Sequence, residues 1–368
     1  MSVSETQYFA LLRAALWEAP AVVEGPVDWK AVMQTAAYHG NTALLSDVAF
    51  RMADDLKPSP KMLVKMQTEM RGNLLHQMKM RQVLLPAVKL LREHGIEPVL
   101  LKGFGLASLY SNPSLRQFGD IDLYVGLDAF HEACSLLRTL PGVYFWCMEM
   151  DAGHHYNIEF GQYPMEIHRV SADVTDAEDH ATYAGIERDG LVDHLQHIDL
   201  DGFTITIPSK EFVVFFTFFH AWHHYLSTGV GWRQLSDVAM GLHAYYGQLD
   251  LDKFRQWLGE MHLMQPWQTF GWLMVDRLGL PEVEMPFYDA TCQRKARKLF
   301  RQIMKEGNFR RERKFKRRRP KRKLWQKWHS IVCVFIDFFR QAKVFPKQAV
   351  REFCTSLSVG LKKNIKKM

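Results

Sequence analysis

The sequence predicts an α+β protein in which a mixed sheet with flanking helices lies between N-terminal and C-terminal helical regions. Apolar residues recur at steps of three and four over residues 4–56 and 61–94, and again from residue 211 onward, which predicts helices. Between these regions, short apolar or alternating runs bounded by Gly, Pro and Asn predict strands. These runs are at residues 97–101, 120–125, 143–148, 154–160, 165–170 and 203–207.

Length and composition indicate a globular protein with more than one domain. A chain of 368 residues suits two or three domains, and 47% hydrophobic residues are sufficient for packed cores. We predict a division into four parts along the chain. These are an N-terminal helical region (1–95), an α/β core (96–207), a helical domain that closes over a cleft (208–306) and a basic, amphipathic tail (307–368).

The cysteines and the apolar runs bear on the compartment. The five cysteines are scattered and odd in number, without a Cys-x-x-Cys pair, which indicates free thiols in a reducing compartment. The N-terminus lacks the features of an export signal, and no apolar run reaches the ~20 residues of a membrane-spanning helix. We therefore expect a cytoplasmic protein.

Positive charge is concentrated near the C-terminus. Residues 309–323 contain eleven Lys or Arg and one Glu, a local net charge of +10. Because the whole chain has a net charge of +7, the remainder is mildly acidic at −3. The basic character therefore belongs to a local segment and not to the body of the protein.

Helix signals divide the first ninety residues. Asp28 is a candidate N-cap for a helix that begins at Trp29. A long helical pattern follows over residues 61–94, in which Pro86 is expected to kink or divide the helix, and Gly95 is a typical C-cap residue.

The stretch of residues 98–125 contains the residues with the clearest chemistry. It predicts a short strand, a glycine turn, a helix, a loop and a second strand. Asp120 and Asp122 are separated by one residue on that second strand, so both carboxylates point to the same face. Two carboxylates side by side repel each other unless a cation lies between them, and Mg²⁺ is held by such groups together with phosphate oxygens.

Lys102 and Gly103 form the turn, where a positive charge and a closely approaching backbone can bind phosphate. Taken singly, each of these features also occurs as an ordinary strand end or turn.

A second candidate carboxylate lies in a predicted hairpin. The runs 154–160 and 165–170 are joined by Gly-Gln-Tyr-Pro, which predicts two antiparallel strands. Glu166 shares a strand face with His168. An edge-strand Glu beside a His is the alternative interpretation. His154 and His155 precede the hairpin, and the sequence assigns them no role.

In this order, the residues resemble the nucleotidyltransferase superfamily of the DNA polymerase β type. They resemble most closely a bacterial nucleotidyltransferase family with a Leu-Lys-Gly … Arg … Asp-Ile-Asp … Glu-x-His signature. The resemblance implies that Asp120, Asp122 and Glu166 are catalytic and hold Mg²⁺ (or Mn²⁺). It also implies nucleotide binding by Lys102, Gly103 and Arg116. The sequence departs from the superfamily pattern at Phe104, where a Ser usually follows the glycine.

The resemblance continues into the helical domain. Residues 173–202 are polar and predict mostly loop and short helix, whereas residues 211–226 predict an apolar helix with His220, His223 and His224. No third ligand accompanies the His pair at spacing four, so a zinc site is not favoured. An Arg-Gln-Leu-x-Asp run follows, and we expect Arg233 to bind nucleotide and Asp237 to face the cleft. A salt bridge between Arg233 and Asp237 is an equally good interpretation.

The tail predicts an amphipathic helix at residues 324–339, directly after the basic run. Aromatic residues beside cations suit the headgroup region of an anionic membrane, which would place the protein at the inner face of that membrane. Two alternatives remain open. The helix can pack on the helical domain of the protein itself, or residues 309–340 can bind RNA.

The function that the resemblance implies is transfer of a nucleoside monophosphate from an NTP to a hydroxyl acceptor, with release of pyrophosphate. A catalytically silent binding module of the same fold and an RNA-binding protein are the alternatives. The sequence names neither the acceptor nor the NTP.

Overall fold

The computed structural model describes residues 2–145, 153–174, 177–308 and 323–365. The last residues of the strand that we predicted at 143–148, and the basic run up to residue 322, lie outside this part of the chain.

Four helices form the N-terminal region. They are α1 (Val3–Leu16), α2 (Trp29–His39), α3 (Thr42–Arg51) and α4 (Pro60–Glu93). Asp28 caps α2 as expected, since its side chain accepts a hydrogen bond from the Ala31 N–H. Of the two outcomes expected at Pro86, division of the long helix was wrong, because α4 runs through this proline as one helix of 34 residues, and a kink there stays a prediction. Buried side chains on both sides of Pro86 pack into the core, and this packing offsets the hydrogen bond that proline removes.

The central sheet is mixed, as the sequence predicted. Its strands are β1 (Val99–Leu100), β2 (Ile121–Tyr124), β3 (Val143–Phe145), β4 (His155–Phe160) and β5 (Tyr163–His168). They are ordered β1-β2-β5-β4-β3, and only the β2–β5 pair is parallel. The predicted hairpin is the β4–β5 pair. A helix of four residues, α5 (Phe104–Ala107), follows β1.

One face of the sheet is packed and the other carries polar residues. Ile121, Leu123 and Ile167 are buried against α4 and against α6 (Gly126–Leu137). Because side chains alternate along a strand, the residues between them point to the opposite face. This alternation places Asp122 and Glu166 on the side of the sheet away from α4 and α6.

The polar stretch at residues 173–202 is more regular than we predicted. It contains α7 (Ala177–Leu191) and β6 (Gln196–Leu200), which pairs with β7 (Phe203–Ile207) in a second, two-stranded sheet. Helix α7 buries only a few apolar residues, among them Tyr183 and Ile186. Its polar Glu187 is also buried and accepts hydrogen bonds from Ser171. These long-range contacts stabilise a helix that has a weak apolar pattern.

A helical region follows the second sheet. It comprises α8 (Lys210–Leu226), α9 (Trp232–Ala244), α10 (Leu251–Glu260), α11 (Met264–Leu273) and α12 (Gln293–Glu306). This region shares one hydrophobic core with α1 to α3, and the Phe9 ring lies edge-on to the Trp232 ring at 4.6 Å. The division of the chain into four domains stays a prediction.

Two helices form the described part of the tail, α13 (Lys323–Ala342) and α14 (Pro346–Ile365). One side of α13 packs on the body of the protein. Arg340 donates hydrogen bonds to Glu306 and to the Tyr225 carbonyl, and Cys333 is buried. The other side exposes large apolar side chains, including Trp325, Val332, Ile336 and Phe339. Across the described residues, no helix has the length and hydropathy needed to cross a membrane.

Candidate active site

Asp122 and Glu166 occupy the same register position on neighbouring parallel strands. In the β2–β5 ladder, Asp122 is paired with Glu166. Ligand atoms of Asp122, Glu166 and His168 all lie within 4.8 Å of one another. The residues on either side of the two carboxylates are buried below the sheet, so the strand register fixes the direction of both side chains. The structure therefore brings together two of the three carboxylates that the sequence singled out.

His168 completes this cluster. Its Nε2 lies 3.2 Å from Asp122 Oδ1 and 3.4 Å from Glu166 Oε2. Burial of the ring lowers the pKa of His168, but hydrogen bonds to the two carboxylates raise it more, so that the net pKa is above its ordinary value. Burial likewise raises the pKa of Glu166, yet the hydrogen bond from His168 and nearby positive charges lower it to about 2. The cluster therefore favours an ionised Glu166.

Lys102 lies above the same carboxylates. Its Nζ is 3.0 Å from Asp122 Oδ1, and the side chain is only 14% exposed. Although burial lowers the pKa of Lys102, the charges of Asp122, Asp120 and Glu166 raise it above its ordinary value. Asp120 itself is half-buried and precedes β2, so it contributes charge here without belonging to the close cluster of Asp122, Glu166 and His168.

The glycine of the turn has a backbone conformation that other residues rarely adopt. Gly103 has φ 64° and ψ −113°, and it precedes α5. The next residue, Phe104, is buried, with its ring edge-on to the Phe118 ring at 4.9 Å. The departure from the superfamily pattern at residue 104 therefore places an aromatic ring in the core below the turn.

Arg116 is buried in a network that supports the turn. It donates to both carboxylate oxygens of Asp237, at 2.7 and 2.9 Å, and to the Gly103 carbonyl at 3.1 Å. Tyr110 donates to the same Asp237 carboxylate at 2.8 Å. Burial lowers the pKa of Arg116, but Asp237 raises it above its ordinary value. Arg116 is buried and directs three N–H groups to partners within the protein, so phosphate binding by Arg116 stays a prediction.

Arg233 is partly buried, and it donates to the Gln117 carbonyl at 2.7 Å. Burial, together with the nearby charge of Arg116, lowers the pKa of Arg233. The alternative interpretation, a salt bridge between Arg233 and Asp237, was wrong. The Asp237 carboxylate forms its ion pair with Arg116 instead.

A cavity of about 270 Å³ lies next to the cluster. Lys102, Glu166 and His168 line one part of it, and histidines of α8 line another. In that helix, His220 Nε2 and His224 Nε2 are 2.9 Å apart. Burial, assisted by the charge of Lys102, lowers the pKa of His224 to about 4 and that of His220 well below its ordinary value. Both imidazoles are therefore neutral at pH 7.

Sequence reasoning assigned no role to several of these residues. His168 was recognised only as a neighbour of Glu166, and its contact with Asp122 depends on the parallel pairing of β2 and β5. His155 lies opposite His168 in the β4–β5 register, with its Nε2 3.8 Å from Glu166 Oε1. The sequence feature that could have placed His155 and His168 near Glu166 is the two-residue periodicity of the hairpin strands.

The cluster suits a divalent cation. Within the described residues, Asp122 Oδ2 is buried and has no hydrogen-bond partner, although the other oxygen of this carboxylate is engaged by Lys102 and His168. A buried carboxylate oxygen without a partner is costly unless a donor or a cation meets it. Asp122 and Glu166 offer oxygen ligands, which Mg²⁺ and Mn²⁺ prefer, while the Nε2 of His168 contacts both carboxylates.

The mixed five-stranded sheet with flanking helices is consistent with a nucleotidyltransferase-type fold. The family model described as "uncharacterised nucleotidyltransferase" matches residues 25–279, well over half of the chain, and the protein belongs to this family. No curated protein matches the chain.

Proposed function

We propose that this protein transfers a nucleoside monophosphate from an NTP to a hydroxyl group of an acceptor and releases pyrophosphate. The observation that supports this most strongly is the register pair of Asp122 and Glu166, which lies within the segment that matches the family. Two carboxylates held at one point by a β ladder are suited to binding a cation that also meets phosphate oxygens.

Asp122 and Glu166 would hold a divalent cation, Mg²⁺ or Mn²⁺, with Asp120 contributing negative charge beside them. When bound, the cation supplies charge neutralisation at the phosphoryl oxygens. The low pKa of Glu166, about 2, keeps this carboxylate ionised, as a cation ligand must be.

Lys102 and Gly103 would bind the triphosphate. The ammonium of Lys102 has three donors, and the ion pair with Asp122 uses one of them, which leaves capacity for phosphate oxygens. The conformation of Gly103 is supported from below by Arg116, which is itself held by Asp237. In this proposal, Arg116 positions the turn, and Arg233 contributes positive charge nearby without a direct phosphate contact.

The test is transfer of label from each α-³²P-labelled NTP to material in a cell extract, with Mg²⁺ and with Mn²⁺. We expect the wild type to label an acceptor, and Asp122→Asn or Glu166→Gln to lower this by about 10²-fold or more. Glu132→Gln is the matched control, because Glu132 is exposed on α6 and lies outside the cluster. Binding of NTP without turnover in any condition would identify the protein as a silent binding module and refute the transfer activity.

We also propose that the tail brings the enzyme to an anionic membrane surface. Trp325, Val332, Ile336 and Phe339 are each about half exposed or more, and their spacing gathers them on one side of α13. The sequence places the +10 run of residues 309–323 directly before this helix. An apolar helix face beside a dense positive charge favours an anionic lipid surface over a neutral one. RNA binding through the same residues is the outcome that would exclude this proposal.

A further inference from the structure

Three histidines meet at the edge of the carboxylate cluster. His155 on β4 lies opposite His168 on β5, and His154 directly precedes β4. Each of the three residues offers one ring nitrogen, and these three nitrogens all lie within 4.8 Å of one another. The three ligand atoms are therefore close enough to contact a single metal ion.

The closest pair in this group consists of two imidazole nitrogens. His155 Nδ1 and His154 Nε2 are 2.8 Å apart, and the two rings are nearly perpendicular with centroids at 4.3 Å. A neutral imidazole has one donor and one acceptor nitrogen, so such a pair either shares one proton or directs lone pairs towards a common cation. Both residues are partly buried, so water competes only in part for these atoms.

His168 has one nitrogen engaged and one without a partner. Its Nε2 contacts Asp122 and Glu166, whereas its Nδ1 is buried and has no hydrogen-bond partner within the described residues. Metal-binding histidines commonly place one nitrogen on the metal and direct the other to a carboxylate, which fixes the ring and increases its basicity. His168 already directs one nitrogen, Nε2, to two carboxylates, as a metal-binding histidine commonly does.

We propose that His154, His155 and His168 form a nitrogen-donor metal site that takes a borderline divalent ion such as Zn²⁺. Imidazole nitrogens select ions of the later first transition row, whereas Mg²⁺ selects oxygen. Three imidazoles with a fourth position open are also a known arrangement for zinc. This site lies beside the carboxylate pair and shares His168 with it. It does not depend on the proposed transfer activity, since an ion can bind here whether or not NTP does.

The experiment is calorimetric titration of chelator-treated, full-length protein with Zn²⁺ alone and, separately, with Mg²⁺ alone. We expect His154→Ala and His155→Ala each to weaken Zn²⁺ binding by roughly tenfold or more and to leave Mg²⁺ binding unchanged. His223→Ala is the matched control, because His223 lines the same cavity but is not one of the three histidines. We expect this variant to bind Zn²⁺ as the wild type does.

Two results would overturn the proposal. One is Zn²⁺ binding that is equally strong in the wild type, His154→Ala and His155→Ala. The other is an equal loss of Zn²⁺ and Mg²⁺ affinity in these variants, which would indicate one mixed site. If the variants do not fold, X-ray absorption of the zinc-loaded wild type decides, since imidazole scattering with Zn–N distances of about 2.0–2.1 Å supports the site. A shell of oxygen ligands alone refutes it.

Discussion

Arg116 and Asp237 join the region around the β-sheet to the helical region through a buried, two-pronged ion pair. The guanidinium donates to both carboxylate oxygens, and both side chains are only 4% exposed. Removing one partner of a buried pair leaves an uncompensated charge. We expect Asp237→Asn to lower the free energy of unfolding by about 3–5 kcal/mol, measured by urea denaturation.

The partly exposed Lys253–Asp189 pair provides the control for this prediction. Its side chains are 28% and 32% exposed, so Asp189→Asn is expected to cost less than about 1 kcal/mol. Replacing both buried partners, as in Arg116→Met with Asp237→Leu, is expected to recover much of the lost stability. A cost for Asp237→Asn no larger than that for Asp189→Asn would contradict the prediction.

The second prediction concerns Lys102 and Asp122. Repulsion between neighbouring carboxylates would by itself make Asp122→Asn harmless to the fold. The structure instead pairs the buried Asp122 with Lys102 and His168. We therefore expect Asp122→Asn to lower the unfolding free energy by about 1–3 kcal/mol, because Lys102 loses its closest counter-charge.

A double-mutant cycle measures this coupling. The double variant Lys102→Met with Asp122→Asn is expected to lose less unfolding free energy than the sum of the losses in the two single variants. The expected difference is about 0.5–3 kcal/mol. The exposed Arg51–Asp47 pair gives the comparison, with an expected coupling of under about 1 kcal/mol. Additive effects of the two substitutions would show that the 3.0 Å contact contributes little.

The third prediction is a pH dependence of stability that comes from His224. Burial and the nearby positive charge of Lys102 lower its pKa from 6.5 to about 4 in the folded protein. Between these two values the unfolded chain binds more protons than the folded chain, so stability falls as the pH decreases from about 6.5 towards 4. His224→Gln removes this contribution.

We expect the loss of unfolding free energy between pH 7.5 and pH 4.5 to be smaller in His224→Gln than in the wild type, by roughly 1–2 kcal/mol after allowance for solvent screening. Urea denaturation at pH 7.5, 6.0 and 4.5 measures it. The matched control is His94→Gln, because the exposed His94 directly follows α4 and, within the described residues, its ring is hydrogen-bonded to the Leu90 carbonyl of that helix. Equal pH profiles for wild type and His224→Gln would contradict the assignment.

The sequence predicted those parts of the structure that depend on local periodicity. The hairpin β4–β5, the apolar helix α8 and the shared face of Glu166 and His168 all follow from spacings of two or of three and four. Contacts between distant residues could not be read in this way. Arg116 and Asp237 are 121 residues apart, and nothing local to Asp237 distinguishes Arg116 from Arg233 as its partner.

The same reasoning explains the errors at α4 and α7. Pro86 usually interrupts a helix, yet the packing of α4 against the sheet outweighs that local preference. The region of α7 was predicted as loop and short helix because its pattern is polar, and burial of Glu187 with Ser171 appears only in the folded protein. The sequence did predict Asp122 as a metal ligand, but it could not show that one oxygen of this carboxylate is buried without a hydrogen-bond partner within the described residues.

The last prediction concerns the exposed face of α13. We expect the full-length protein to sediment with vesicles that contain phosphatidylserine and not with neutral vesicles, because each Lys or Arg near an anionic surface contributes about 1 kcal/mol. Salt at about 0.5 M should weaken this binding, since it screens the charges. Deleting the tail is a poor test, because Phe345 is fully buried against Trp222 and Tyr225 and its loss would open the core.

Point substitutions on α13 avoid that difficulty. The triple variant Val332→Ser, Ile336→Ser and Phe339→Ser removes exposed apolar side chains without touching Arg340 or Cys333. We expect it to bind anionic vesicles at least tenfold more weakly than the wild type, because the helix can no longer insert its apolar face between headgroups. The matched control substitutes Leu74, Leu75 and Met78, which are exposed to a similar extent on α4, and should bind as the wild type does. If the α13 variant binds vesicles normally, or if the wild type ignores anionic vesicles yet binds RNA with a steep salt dependence, the helix does not serve membrane attachment.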